Sequence, residues 1–154
     1  MKTLNLLSIS LILLFLTAKS VYAISCPAWL NQCATIGCNG TPNSPKNNRV
    51  GSNLVGHSLS GDFSESDFHG ARLGRTVWSP KTNLSRSNFH GADLGASVLA
   101  EVNLFGSFFH GADFRHVDLT KADVRCSCFH GADLRRARTS GTRWEGAVMH
   151  GAKR

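Results

Sequence analysis

Large apolar residues recur at every fifth position along the C-terminal two thirds of the chain. From Leu84 onward, with one interruption at Thr139, they are Leu84, Phe89, Leu94, Leu99, Leu104, Phe109, Phe114, Leu119, Val124, Phe129, Leu134, Trp144 and Met149. A small residue or a valine stands two positions before each of them. The same pattern occurs earlier, shifted by one residue near Pro80, at Phe63, Phe68, Leu73 and Trp78. The proline at the shift predicts a loop or a bulge there.

An apolar period of five fits neither an α-helix nor a straight β-strand. Residues five apart on an α-helix are rotated by roughly 140°, and on a strand they point to opposite faces. A chain that turns a corner every five residues would instead aim each large residue and each small residue inward. Glycine and polar residues between the large ones would then form the corners.

A second period indicates how many corners close one turn of the chain. The tripeptide His-Gly-Ala recurs at 69–71, 90–92, 110–112, 130–132 and 150–152. The later copies are evenly spaced, and the first interval is longer by one position because it contains the shift near Pro80. The regular interval equals four segments of five, so we predict four sides per coil and about five coils between Asn53 and Arg154. Stacked ~4.8 Å apart, the coils would form a rod on the order of 24 Å long.

The repeat units resemble those of a known family. The segments Phe89-His90-Gly91-Ala92-Asp93-Leu94 and Phe129-His130-Gly131-Ala132-Asp133-Leu134 resemble the alanine-(aspartate/asparagine)-leucine-x-x signature of pentapeptide-repeat proteins. The resemblance covers residues 53–154 and implies an all-β fold, a right-handed quadrilateral parallel β-helix filled by its own side chains. One ladder of the core would then consist of Phe68, Phe89, Phe109, Phe129 and Met149.

Three residues near the C-terminus depart from this signature. Thr139 stands at a central position, which is the place of the large apolar residue in each unit of five. Arg138 and Arg143 each directly precede a central position. We therefore expect the last coil to be less regular than the others. The resemblance also implies that a homodimer could form through the C-terminal end.

The segment 1–23 has the pattern of a cleaved secretory signal peptide. Lys2 precedes an apolar stretch at 4–16, and Val21-Tyr22-Ala23 offers small residues for cleavage after Ala23. An uncleaved anchor and lipidation at Cys26 are the alternatives. We predict a signal peptide at 1–23, a cysteine-containing N-terminal cap or linker at 24–52 and the β-helix at 53–154. The mature protein would be secreted or periplasmic, without a transmembrane segment.

All five cysteines follow the predicted cleavage site, and export would permit disulfide bonds. Cys26, Cys33 and Cys38 cluster in the segment 24–52, which predicts a disulfide-stapled cap whose connectivity the spacing leaves open. Cys126 and Cys128 flank the inward Ser127 and should face outward. A bond from them to the cap would cross several coils, so free thiols or a bridge between chains are favoured over a strained local disulfide.

Basic residues concentrate at the C-terminal end of a chain whose net charge is +7. Six of them, against Glu145 alone, form a candidate anion-binding end: Arg135, Arg136, Arg138, Arg143, Lys153 and Arg154. Such an end favours anionic partners such as phosphates, acidic glycans or acidic proteins. A solvated face that keeps the protein soluble is the alternative. Some pentapeptide-repeat proteins mimic DNA and bind DNA gyrase, but the basic charge and the export signal disfavour that role here.

The histidines of the repeated tripeptide would form a file on the outer surface, with neighbours ~4.8 Å apart. They are His69, His90, His110, His130 and His150. A file of neutral imidazoles could share a divalent metal, and no other cofactor is expected. It could also respond to pH near 6. The alternative is a duplicated surface residue without a function of its own.

Catalysis is not favoured by the sequence. Asp93, Asp113 and Asp133 recur close to the histidine file, and beside Ser107 or Ser127 they would resemble parts of a hydrolase triad. Those serines occupy the small inward position, however, and a filled coil leaves no pocket for a substrate.

The sequence therefore predicts a non-enzymatic binding or scaffold module that presents flat β faces and a basic end to a macromolecular partner. That partner would be a protein or an anionic envelope component, and no motif for specific nucleic-acid binding is present. A metal- or pH-responsive surface protein is the alternative. A structural, envelope-associated rod is a third reading.

Overall fold

The computed structural model describes Cys26 and residues 46–154. The predicted signal peptide with its cleavage site, and both Cys33 and Cys38, lie outside these residues. Two short strands, β1 (Ser58–Leu59) and β2 (Val77–Trp78), pair in parallel with Ser58 opposite Val77. The other rungs are single-residue parallel bridges that run from Asn48 to Lys153. The described part of the chain contains no helix of the length and apolarity that crossing a bilayer requires.

The bridges join residues that are one coil apart, which confirms a parallel β-helix. The partner of Asp133 is Lys153, and the same spacing holds for every bridge from that between Asn83 and Asn103 onward. One earlier coil is longer by one residue, as the shift near Pro80 predicted, and its bridges include Asp67 with Asn88. The coil before it is one residue shorter, because the step from Leu59 to Phe63 has four positions instead of five. The predicted series of large residues began at Phe63 and therefore did not include this step, although Leu54 and Leu59 stand in the sequence before it.

Each segment ends in a tight turn that explains the glycine of the repeated tripeptide. The Ala92 N–H donates to the Phe89 carbonyl at 3.0 Å, and the third residue of this turn, Gly91, has φ 61°. A type II turn requires a positive φ at that position, which favours glycine. The Asn88 side chain accepts a hydrogen bond from the His90 N–H at 3.1 Å. Asparagine and aspartate before a central position therefore brace the corner that follows them.

The interior is filled by the predicted large and small residues. The rings of the core ladder stack at 4.9, 5.2 and 4.7 Å between centroids, in the order Phe68, Phe89, Phe109 and Phe129. All four are fully buried. Met149 extends the ladder and is only partly buried.

The last coil keeps the backbone ladder despite its departures from the signature. Arg138 and Arg143 occupy bridge positions beneath Asp118 and Asp123 of the preceding coil. Each guanidinium forms an ion pair with the aspartate above it, at 3.3 and 3.4 Å respectively. Thr139 is exposed rather than part of the core. The predicted irregularity thus affects side-chain packing and leaves the bridges intact.

The predicted local disulfide staple is wrong for Cys26. Its sulfur is bonded to Cys126, 100 residues along the chain, with the two Cα atoms 5.4 Å apart. Room for this bond comes from Gly146, one coil below Cys126. A Cβ atom at Gly146 would collide with the Cys26 sulfur. The prediction of free thiols or an interchain bridge is wrong for Cys126, because it is bonded to Cys26 of the same chain.

Candidate functional site: the outer faces of the coil

The side chains that carry chemistry lie on four outward faces, each built on one column of bridged residues. We number the faces by these columns. The first column is Asn48, Asp67, Asn88, Phe108, Cys128 and Val148; the second is Asn53, Arg72, Asp93, Asp113, Asp133 and Lys153. The third is Ser58, Val77, Val98, Asp118 and Arg138; the fourth is Asp62, Asn83, Asn103, Asp123 and Arg143.

The five histidines of the repeated tripeptide form a continuous column on the first face. Successive ring centroids, from His69 to His150, are 4.9, 4.8, 4.8 and 5.1 Å apart. The two end histidines are exposed and the three between them are partly buried. Burial lowers the pKa of His90, and the neighbouring imidazoles of His110 and His69 lower it further. The predicted file is therefore present, and the neighbours of His90 disfavour its protonated form.

The stacked arrangement does not suit a metal ion shared between neighbours. The rings of His90 and His110 are inclined by only 16°, and those of His110 and His130 by 24°. Nearly parallel rings point their nitrogens in the same direction rather than toward one point, whereas zinc needs ligand nitrogens ~2.0–2.1 Å from a common centre. Among the described residues, no group of three or more histidine, cysteine, aspartate or glutamate side chains is placed to hold a metal ion.

The predicted triad components are engaged elsewhere. Asp93, Asp113 and Asp133 lie on the second face, where each accepts a hydrogen bond from the backbone N–H two residues later, at 2.9 to 3.2 Å. Ser107 and Ser127 are fully buried. Their hydroxyls donate to the carbonyls of Leu84 and Leu104 at 2.8 and 2.7 Å. No catalytic triad is assembled from these residues.

The basic residues of the C-terminal end are spread around the last coil. Arg135 lies on the second face and forms a two-pronged ion pair with Asp133, at 2.9 and 2.7 Å. Arg138 and Arg143 lie on the third and fourth faces and are also paired with aspartates. Within residues 46–154, no salt bridge involves the other three members of the set, Arg136, Lys153 and Arg154. The end is therefore basic on several sides, with half of its charge already neutralised.

Arginines lower the pKa values of Asp113 and Asp133 on the second face. The hydrogen bonds from the Arg135 guanidinium hold the pKa of Asp133 well below its usual range. Arg115 acts on the Asp113 carboxyl in the same way, and the pKa of Asp113 is lowered although the nearby Asp133 charge opposes the shift. Both carboxylates consequently stay ionised in mild acid.

A second apolar cluster lies outside the main core, at the corner between the fourth and first faces. Phe108, Cys126 and Cys128 are buried there, and Cys26, Phe105 and Val148 pack against them. Cys128 is also disulfide-bonded, so the prediction of a free thiol is wrong for it too. The Arg125 guanidinium lies 5.8 Å from the centre of the Phe105 ring. Outward positions at this corner thus serve to attach Cys26 to the coil.

These features define a class: solenoids whose interior is filled by their own side chains and whose polar and charged groups lie on the outer faces. The family described as "Pentapeptide repeats" matches the chain in eight copies, over residues 82–120, 97–136 and 127–153. The chain belongs to the pentapeptide-repeat family. Members of this family are generally structural or binding proteins rather than enzymes.

Several solved structures are similar to this chain. Rfr23, a pentapeptide-repeat protein from the cyanobacterium Cyanothece 51142, is 22% identical over 66% of this chain and 63% of its own, with a TM-score of 0.28. AT2G44920 from the Arabidopsis thaliana thylakoid lumen is 25% identical over 64% and 66%, with a TM-score of 0.25. HetL from Nostoc sp. strain PCC 7120, involved in heterocyst differentiation regulation, is 19% identical over 69% of each chain, with a TM-score of 0.25.

The chain spans less than two thirds of the length of the first two of these proteins. With TM-scores this low, the three likenesses support no inference about function. No curated protein matches the sequence.

Proposed function

We propose that this protein is an exported, non-enzymatic binding module that presents flat β faces and a basic C-terminal end to an envelope partner. It is a right-handed rod of about five coils whose bridges begin at Asn48, with the residues from 24 up to that point as its cap rather than the whole of 24–52, and it is secreted or periplasmic after cleavage behind Ala23. The supporting observation is the difference between the side chains of the interior and those of the outer surface. Large apolar side chains fill the interior, while most positions of the outer columns carry polar or ionisable side chains.

The basic end is the part of the surface best suited to an anionic partner. Arg136 and Arg154 are free of salt bridges within the described ranges, whereas Arg135 is held by Asp133. Each lysine or arginine beside an anionic membrane contributes about 1 kcal/mol to binding. Two unpaired arginines at one end of the rod would therefore strengthen binding to an anionic surface on the order of thirtyfold.

A vesicle-binding experiment tests this proposal. We expect the purified protein to bind phosphatidylglycerol vesicles at low salt and to be released at high salt, since salt screens exposed charges. Arg136→Gln/Arg154→Gln should weaken binding at least tenfold. Arg49→Gln/Arg75→Gln removes the same charge elsewhere and serves as the matched control. Equal weakening by both variants would show that net charge, rather than the C-terminal end, is recognised.

Export is tested separately. Expression of the full chain in a bacterial host, followed by fractionation and mass spectrometry, should yield a periplasmic or secreted protein that begins at Ile24. Recovery of the intact chain from the cytoplasm would refute export. The binding properties of the coil would be unaffected by that result.

A second candidate is a metal- or pH-responsive surface protein that uses the histidine column. The stacking of five imidazoles at 4.8 to 5.1 Å favours it, and the parallel rings favour a response to protons over a response to metal. Calorimetric titration with zinc, compared between the wild type and His110→Ala/His130→Ala, tests the metal version. Absence of heat in the wild type would remove it.

A third candidate is assembly of rods, or of a homodimer, through the C-terminal end. The last coil leaves a pairing edge, since the N–H groups of Trp144 and Met149 donate to no backbone carbonyl within the described residues. An open edge of this kind can pair with another chain. Light scattering after size-exclusion chromatography tests this candidate, and a strict monomer at high concentration would exclude it.

A further inference from the structure

The histidine column borders a strip of the surface that carries no side chains. We call the two together the histidine ridge, defined by His69, His90, His110, His130, His150 and the glycine that follows each of them. A Cβ atom placed on Gly70, Gly91 or Gly111 would meet nothing within 4 Å. The ridge therefore offers a straight row of imidazole edges beside an open strip of backbone, with a repeat of one coil.

The faces of the imidazoles are not available to a ligand, because neighbouring rings in the column cover them. The centroids of His90 and His110 are 4.8 Å apart with an inclination of 16°, and His110 and His130 are arranged similarly. What the column presents outward is a row of ring edges; at His110 the Nδ1 atom is buried without a hydrogen-bond partner within the described residues, which leaves Nε2 to meet a ligand. Such a row suits a ligand that is an extended polymer with hydrogen-bond acceptors spaced along it. It offers no stacking platform of the kind that single-stranded nucleic acids require.

Within residues 46–154, the first face places no carboxylate beside the middle of the ridge. In the column beside the ridge on the first face, Asp67 is the one acid. Its Oδ1 accepts hydrogen bonds from the backbone N–H of His69 and from the side-chain amide of Asn88. The other members below Asn88 are Phe108, Cys128 and Val148, and none of them carries a charge.

The groups across the glycine strip belong to the second face and are largely paired with one another. The charged members of the second column are Arg72, Asp93, Asp113, Asp133 and Lys153. Asp113 and Asp133 are bound to the arginines two residues later, and Asp93 accepts from the Gly95 N–H at 2.9 Å. Within residues 46–154, no salt bridge includes a histidine of the ridge. The counter-charge for a protonated ridge must therefore come from a partner.

Proton uptake by the free ridge is opposed by its own geometry. Adjacent imidazolium charges would lie well within the Debye length of ~10 Å at 0.1 M salt. The lowered pKa of His90, caused first by burial and then by its two neighbours, agrees with this. A polyanion along the ridge would remove the repulsion and raise the histidine pKa values. Binding and proton uptake would thus promote each other, and affinity would increase as the pH falls through the ordinary histidine range near 6.5.

We propose that the histidine ridge binds an extended acidic polysaccharide, with one carboxylate on each sugar, and that it does so in mildly acidic surroundings. The sugar rings lie over the glycine strip, and their carboxylates accept hydrogen bonds from the protonated imidazole edges. The proposed site builds on the acid-responsive candidate above and names its ligand. It is separate from the basic C-terminal end.

Calorimetry with polygalacturonate tests the site. The polymer stays ionised at pH 5.5, because carboxyl pKa values lie near 4. We expect binding at pH 5.5 that is at least tenfold tighter than at pH 7.5, with proton uptake detected by comparing buffers of different ionisation enthalpy. His110→Gln/His130→Gln should weaken binding at pH 5.5 at least fivefold and reduce the pH dependence. His57→Gln/His116→Gln removes two histidines outside the ridge and should bind like the wild type.

Three outcomes would overturn the proposal. They are equal affinity at both pH values, equal weakening by the two double variants, and binding of inorganic polyphosphate but not of polygalacturonate. An NMR titration of the histidine ring protons separates this proposal from the broader one. Histidines that titrate together without binding the polymer would leave the acid-responsive candidate standing and refute the ligand. Loss of vesicle binding in Arg136→Gln/Arg154→Gln would concern the basic C-terminal end alone. It would leave both the acid-responsive candidate and the polysaccharide proposal unchanged.

Discussion

Buried serines at one corner of the coil connect each coil to the next. Ser66, Ser87, Ser107 and Ser127 occupy the small inward position before the first face in four successive coils. The N–H of Ser87 donates to the Ser107 hydroxyl at 3.3 Å, and that hydroxyl donates to the Leu84 carbonyl at 2.8 Å. One hydroxyl therefore satisfies both a buried donor and a buried acceptor.

Ser107→Ala should lower the free energy of unfolding by about 1–3 kcal/mol, because it leaves the Ser87 N–H and the Leu84 carbonyl buried without these partners. Ser97→Ala is the matched control. Ser97 is also buried at a small inward position, but its hydroxyl has no hydrogen-bond partner within the described residues. Urea unfolding should show little change or a gain in stability for the control. Equal destabilisation by both substitutions would contradict the role given to the Ser107 hydroxyl.

At the scale of the coil, side chains of opposite charge connect the last coil to the one before it. Asp118, Asp123 and Asp133 stand in the bridge columns one coil before the end of the ladder. Their bridge partners in the last coil, directly beneath them, are Arg138, Arg143 and Lys153. The hydrogen bond from the Thr120 hydroxyl lowers the pKa of Asp118, and the charge of Arg138 lowers it further. The departures from the repeat signature are therefore complementary to the coil above.

These lowered pKa values predict a loss of stability in acid. A carboxyl whose pKa is lower in the folded state than in the unfolded state contributes stability above its unfolded pKa, near 3.9. That contribution is lost as the pH falls through the folded value. The free energy of unfolding should thus begin to fall near pH 4 and continue to fall below it. Asp118→Asn should be less stable than the wild type at pH 6 and differ less from it at pH 2. A stability that stays constant between pH 5 and pH 2 would contradict this.

For the whole molecule, the bond between Cys26 and Cys126 attaches the start of the described chain to the far part of the rod. It spans 100 residues, and closing a loop of about that length stabilises a fold by about 4.7 kcal/mol in the chain-entropy account. The sulfur of Cys26 occupies the space where Gly146 lacks a side chain. The outer cluster around Phe108 thus depends on a glycine one coil away.

Gly146→Ala should prevent this disulfide from forming, because the new methyl group would occupy the position of the Cys26 sulfur. Gly111→Ala is the matched control. Gly111 has a similar φ of +63°, and a Cβ there meets nothing within 4 Å. Both substitutions cost about 1 kcal/mol or somewhat more for a left-handed alanine. Thiol titration after denaturation should detect two additional free thiols in Gly146→Ala alone, with a lower melting temperature than the control. Unchanged thiol counts would refute the steric argument.

Much of the outer surface follows from the sequence once the coil register is known. The column from His69 to His150 was predicted because each full coil returns the same residue of the repeat to the same face. The ion pair between Arg138 and Asp118 follows from that register too, but the sequence alone presented Arg138 as a departure from the pattern. The hydroxyl of Ser127 was predicted to be buried, yet its role in bonding to Leu104 was missed, although the recurrence of a serine once per coil was visible.

The amino-acid sequence by itself determined the parallel β-helix, its inward ladder of phenylalanines and its outward file of histidines. It did so because each is set by a local repeat that folding simply stacks. The pairing of Cys26 with Cys126 was decided only by the tertiary structure. Cys26 lies before the repeats, so no period assigns it a coil, and its partner is set by which corner has an open space. The closure of the coil across the shortened step between Leu59 and Phe63 was also decided only by the tertiary structure, since the bridges on both sides of that step are kept although one residue is missing.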